Sequence, residues 1–143
     1  MSLFSLLFGD KKARESDTPA PTSSISPELV LSSAKLWAAV GPGYRTYTPV
    51  QGTGSMLPVF GGNSVLLLET VTPTSLVPGD IAIYDKLPSG LVVHRVREVN
   101  DRGAVLFSGD NNDKLSSDGW IAGSRIRWRV AGILYANQKV NPQ

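Results

Sequence analysis

The stretch Pro78-Gly79-Asp80-Ile81-Ala82-Ile83-Tyr84-Asp85-Lys86-Leu87-Pro88-Ser89-Gly90-Leu91-Val92-Val93-His94-Arg95-Val96-Arg97-Glu98-Val99 decides the fold class. It holds two short apolar runs, 80–84 and 91–99, set apart by Pro88-Ser89-Gly90 and preceded by Pro78-Gly79. Short β-like runs without a helical period, bounded by Gly and Pro, read as strands. Outward from this stretch the pattern recurs at Arg45 to Val50, Ser64 to Glu69, Ala104 to Ser108 and Arg125 to Tyr135, with Asn100-Asp101-Arg102-Gly103 as a further turn signal. Together they predict a mainly β domain with Greek-key or barrel-like closure. No internal repeat is visible.

Upstream the pattern changes. Ser26-Pro27-Glu28 reads as an N-cap, a proline at the first helical position and an acidic first turn. A helix is expected from there to about Val40, stopped by Gly41-Pro42-Gly43. Residues 10–26 are polar, with Pro19, Pro21 and a Ser/Thr cluster, which predicts a flexible linker. Residues 1–9 carry a short apolar run, Leu3 to Phe8, broken by Ser5 and followed by Lys11 and Lys12. The expected organisation is an N-terminal apolar helix plus linker over 1–26 and a single domain over 27–143.

A chain of 143 residues is long enough for a real core, and its 41% hydrophobic and 18% charged content is that of a soluble globular protein. The net charge of +2 is spread thinly; only Arg125-Ile126-Arg127-Trp128-Arg129 concentrates it, and its alternation reads as the solvated face of a strand. No nucleic-acid partner is expected. The absence of cysteine excludes disulfides, thiolate chemistry and Cys-based zinc sites, and no cofactor or metal is expected. A membrane-spanning helix needs about 20 apolar residues, so no transmembrane segment is expected. A secretory signal would carry its charge before the apolar run, not after it. The expected location is therefore cytoplasmic, or peripheral to a membrane or large assembly through residues 1–9.

Three blocks carry candidate chemistry. Gly52-Thr53-Gly54-Ser55-Met56-Leu57-Pro58 is a small-residue turn after a strand. A serine hydroxyl becomes a nucleophile when a base takes its proton and donors receive the developing oxyanion. The glycines allow unusual dihedrals and close approach, the Ser55 N–H can face an oxyanion, and Thr53 can add a hydroxyl beside it. Such turns are also ordinary loops. His94, the sole histidine, follows 39 residues later on a strand, sharing a face with Val92 and Val96 while Arg95 and Arg97 point away. Partial desolvation by valines favours the neutral imidazole that a general base requires, although a lone histidine also serves as a core residue bonded to backbone. The third block, Gly109-Asp110-Asn111-Asn112-Asp113 with Asp118, supplies carboxylates. One can orient the imidazole and balance its cation; the competing reading is a turn capping its own backbone.

Ser55-Met56-Leu57-Pro58, Pro78-Gly79-Asp80-Ile81, His94-Arg95-Val96 and Gly109-Asp110-Asn111-Asn112, in this order and spacing, resemble the conserved boxes of type I signal peptidases. The likeness runs from about Val50 to Tyr135, with Gly123 to Leu134 similar to the family's closing strand. Histidine in place of the bacterial lysine is similar to the endoplasmic-reticulum and archaeal branch. The resemblance implies a signal-peptidase/LexA-like β fold with one N-terminal helix, Ser55 as nucleophile, His94 as base and Thr53 as oxyanion hydroxyl. It points to Asp118 as the supporting acid, with Asp110 as a structural turn of its box; Asp113 stays open. The chain departs from the family in lacking a membrane-spanning helix before the serine box.

Three functions follow. The first is a serine endopeptidase of signal-peptidase type, acting on an extended precursor peptide after small residues, with pockets lined by Val50, Met56 and Val92. The second is a self-cleaving regulator related to LexA, against which stand the histidine base, the proline after Ser-Met-Leu, and the lack of an Ala-Gly or Cys-Gly bond in the arm before Ser55. The third is a non-catalytic structural or assembly module.

Overall fold

A computed structural model of the chain describes residues 15–41, 43–50, 53–86, 88, 90–113 and 117–140. The expected apolar helix at 1–9 lies outside these residues, as does Gly52. Among these residues one α-helix, α1 (Pro27–Ala39), is followed by seven strands: β1 (Arg45–Pro49), β2 (Ser64–Glu69), β3 (Ile81–Lys86), β4 (Gly90–Val99), β5 (Val105–Ser108), β6 (Trp120–Ile121) and β7 (Ile126–Tyr135). The protein is mainly β, a curled antiparallel sheet plus one helix. In the sheet the strand order is β1-β2-β7-β3-β4-β5-β6, so the last strand returns to run between β2 and β3.

Helix α1 begins where its capping residues dictate. The Ser26 side chain accepts the Leu29 N–H at 3.2 Å, and Pro27 occupies the first helical turn, where its missing N–H costs nothing. Val30 and Ala34, four residues apart, share one face and pack on Val65 and Leu67 of β2 with Ala136 and Val140. Leu29 and Leu36 lie on the outer face and are exposed.

The central strands are buried on both sides, which explains why they read as apolar runs rather than alternating ones. On β3, Ile81 and Ile83 join Val50, Met56, Phe60, Leu66, Leu68 and Val93 in one cluster. Ala82 and Tyr84 point the other way, into a second cluster with Val92, Val96, Val105 and Phe107. Fully buried side chains such as Leu66, Leu68 and Ile83 each contribute about 1.5–3 kcal/mol by leaving water. Register shifts at Leu67/Leu68 and Ile83/Tyr84, both against β7, mark bulges of the kind that bend a sheet.

The polar stretch expected as a linker is different over residues 15–26: this part is tied to the domain. Asn63 Nδ2 donates to Pro21 O at 2.8 Å, the Asn137 N–H donates to Ile25 O at 2.7 Å, and the Ser23 hydroxyl donates to Tyr135 O at 2.5 Å. Ala20 is buried. Side-chain amides gripping the arm's backbone replace the pairing that a strand would have supplied. Among the described residues, no helix is long and apolar enough to cross a membrane.

Candidate active site

Strand pairing sets the imidazole. His94 on β4 stands opposite Ala82 on β3. The small side chain opposite leaves room for the ring, which sits at 1% exposure on the face shared with Val92 and Val96. Arg95 points the other way. Among the described residues the fold thereby gives His94 a partner at each ring nitrogen.

At Nε2 the partner is Ser55 Oγ, 3.2 Å away. Ser55 is held by a turn whose geometry requires glycine: Gly54 has φ +87°, in the left-handed region that disfavours side chains. The Met56 side chain anchors the far side of the turn in the first core cluster. The Val59 N–H closes the turn on Met56 O at 2.8 Å. Thr53 Oγ1 lies 3.2 Å from Ser55 Oγ, and the Ser55 N–H is directed to the same Thr53 oxygen at 3.5 Å. The two groups expected at an oxyanion thus converge beside the hydroxyl. A groove of about 440 Å³ opens next to Thr53 and Gly54, walled on its other side by Asp17, Pro19 and Ala20 of the arm.

At Nδ1 the partner is Asp118, whose Oδ2 lies 2.5 Å away. The segment carrying it is pinned by its own backbone, the Asp118 N–H donating to Phe107 O at 2.8 Å. Its side chain is 0% exposed and has further donors: the Tyr84 hydroxyl to Oδ2, and Lys86 Nζ to Oδ1 at 3.3 Å. A buried carboxylate needs such partners, because an unpaired charge out of water costs several kcal/mol. Serine, imidazole and carboxylate therefore form one continuous hydrogen-bonded chain.

Asp110, the other candidate acid, is elsewhere. It accepts from Arg95 Nε at 3.1 Å and Nη2 at 2.5 Å, and from Arg97 Nη2 at 3.0 Å. The hydrogen bond to Asp110, with its charge adding to it and burial opposing, pushes the Arg95 guanidinium further above its usual range. Arg95 also donates to Gly79 O at 2.8 Å, so this cluster joins the Pro78-Gly79-Asp80 turn to the acidic loop. Asp113 is exposed.

The loop between the two acids buttresses the serine. The Asn111 N–H donates to Ser55 O at 2.8 Å, and its side-chain amide donates to Gly54 O at 2.8 Å. The same amide holds the arm, its Oδ1 accepting the Ser16 N–H at 2.7 Å. A Cβ on Gly109 would sit 2.7 Å from Ser55 O, which only a glycine avoids.

The pocket expected from Val50, Met56 and Val92 needs correction. All three are buried in the core; Val50 and Met56 belong to the first cluster and Val92 to the second. They do not line a common pocket, since alternation along β4 sends Val92 and Val93 to opposite faces. Sequence reading also misses Tyr84, Lys86 and Asn111. The signal for the first two is that 82, 84 and 86 share one face of β3, but using it requires knowing that β3 pairs with β4 and in which register.

Compared with family models, curated proteins and solved structures, the chain matches none.

Proposed function

We propose that the protein is a serine endopeptidase of signal-peptidase type, acting on a precursor peptide in extended form with Ser55 as nucleophile, His94 as base and Asp118 as supporting acid. The observation that carries this reading is the unbroken chain Ser55 Oγ–His94–Asp118, with both ring nitrogens engaged. The curled sheet is read as the signal-peptidase/LexA-like Greek-key type, on the strength of the serine turn, the histidine strand and the acidic loop meeting at one point.

In the proposed reaction Ser55 Oγ attacks the scissile carbonyl carbon while His94 Nε2 takes its proton. The carbonyl π electrons move to oxygen, and that oxyanion is received by the Ser55 N–H and the Thr53 hydroxyl. The imidazolium is balanced by Asp118 at Nδ1. His94 returns the proton to the departing amine as the C–N bond breaks, leaving an acyl-serine. Water then attacks this ester by the same route, releasing the carboxylic acid and restoring Ser55.

A serine-directed fluorophosphonate tests the chemistry whatever peptide the protein cleaves. Intact-mass and peptide analysis is expected to show one adduct on Ser55, lost in Ser55→Ala and strongly slowed in His94→Ala. Absence of an adduct on the folded wild type would count against an activated serine.

A further inference from the structure

Asp118 Oδ2 is shared. It meets His94 Nδ1 at 2.5 Å and also accepts the Tyr84 hydroxyl, while Lys86 Nζ lies 3.3 Å from Oδ1. Neither Tyr84 nor Lys86 has a role in the proposed reaction, yet both approach the carboxylate from one face of β3. The pairing dictates this: His94 stands opposite Ala82, so residues 84 and 86 follow on the same side, facing Val92 and Gly90. Gly90 lacks a side chain that would crowd Lys86. Tyr84 is fully buried and its ring stacks on Phe107, centroids 4.2 Å apart and planes at 23°, which fixes the ring and with it the position of the phenol oxygen.

A carboxylate beside an imidazole has two effects. It orients the ring, and it stabilises the imidazolium, which removes the free base if the stabilisation is too strong. A second donor on the same oxygen, and a cation on the other, draw on the carboxylate's charge and moderate that pull. The phenol also fixes the rotation of the carboxylate about its own bond, so that Oδ2 stays aimed at Nδ1.

We propose that Tyr84, assisted by Lys86, is a positioning residue of this site: it holds Asp118 aimed at His94 and limits how strongly the carboxylate favours the protonated ring. This rests on the peptidase reading for its consequence in catalysis, but not for its physical content. Among the described residues, the groups facing His94 are Ser55 from the 53–58 turn, Tyr84 from β3 and Asp118 after β5, with Lys86 reaching Asp118 from β3. Val105 and Phe107 of β5 line the same cluster and do not titrate, and the Arg95 and Arg97 guanidinium groups engage Asp110.

The test uses the sole histidine, which gives a single imidazole signal in a nitrogen-15 NMR titration. In Tyr84→Phe and in Lys86→Gln, His94 is expected to titrate at higher pH than in wild type, by about half a unit or more. Tyr84→Phe keeps the stacked ring, and its kcat near neutrality is expected to fall three- to tenfold with little change in KM. An unchanged titration in both variants overturns the proposal. A shift in Lys86→Gln alone reduces the effect to charge and overturns the role of Tyr84. Should Tyr84→Phe fail to fold, the chloro- or fluoro-substituted tyrosine at position 84 gives the second readout, and an unmoved His94 titration there overturns the proposal equally. If the titrations move as expected while no peptide is cleaved, the peptidase reading fails and the coupling stands.

Discussion

Ser55 Oγ and His94 Nε2 lie 3.2 Å apart, although 39 residues and two strands separate them in the chain. The distance follows from two local constraints. Met56 roots the serine turn in one core cluster, and Ala82 leaves space for the imidazole on the opposite side of the sheet. Neither constraint depends on the other, and the Ser55–His94 hydrogen bond forms where the serine turn meets β4.

The two aspartates are expected to behave differently. Asp118→Asn retains the fold but lowers turnover about a thousandfold or more, because an amide supports the wrong imidazole tautomer and does not balance its charge. Asp110→Asn weakens the cluster with Arg95 and Arg97, both partly exposed, and lowers stability by about 1–2 kcal/mol with a smaller effect on turnover. Melting temperature and kcat of both variants, measured together, decide. Loss of turnover at full stability in Asp110→Asn, with Asp118→Asn like wild type, would reverse the roles.

Replacing His94 by lysine keeps a base but changes its proton balance. At this buried position the ammonium meets Asp118, and the pair favours the charged form that cannot accept a proton. The expected result is a poorly active variant near neutrality with an optimum moved to alkaline pH. A pH–rate profile identical to wild type would show that His94 is not the base.

Gly109→Ala places a methyl group 2.7 Å from Ser55 O, a backbone atom that has no freedom to swing aside. The loop or the serine turn must shift, at a cost of about 1–3 kcal/mol, the scale of overpacking. Because that shift acts on the turn carrying the proposed nucleophile, kcat is expected to fall at temperatures where the variant is fully folded. Wild-type turnover together with wild-type stability would mean that the turn is not held as described.

Asn111 links the arm at Ser16 to the serine turn at Gly54, with its side chain buried. Asn111→Ala removes both grips. Amide exchange at residues 16–23 is expected to accelerate, and with it exchange at the Ser55 N–H. Acceleration confined to the arm would show that the two are not coupled.

Much of this architecture is legible in the sequence where the physics is local. The helix start at Ser26-Pro27 is a capping rule, Ser64–Glu69 is a short apolar run bounded by turn residues, and Gly90–Val99 alternates valines with charged side chains as a half-buried strand does. The two-residue β6, Trp120–Ile121, has no period to detect and is invisible to a pattern reading. The docking of residues 15–26 is equally hidden, because it depends on Asn63 and Asn111 side chains reaching a polar backbone, which composition does not encode. At the site, Ser55 and His94 are read from the serine turn and the sole histidine, and Asp118 from the resemblance alone; Tyr84 and Lys86 become visible only with the β3–β4 register. Val92 reads as a pocket residue in sequence because apolar side chains beside a candidate site residue look alike whether they line a groove or fill a core.

Whether Ser55 and His94 cleave peptides is decided by exposing an extended precursor-peptide library to wild type, Ser55→Ala, His94→Ala and the double variant and reading the products by mass spectrometry. Discrete cuts after small residues are expected from the wild type. Each single variant should lose at least about a thousandfold in rate, and the double variant should be scarcely worse, because the two residues act as one unit. Cuts of equal yield with Ser55→Ala, or no cut by folded wild-type protein anywhere in the library, would contradict the peptidase reading.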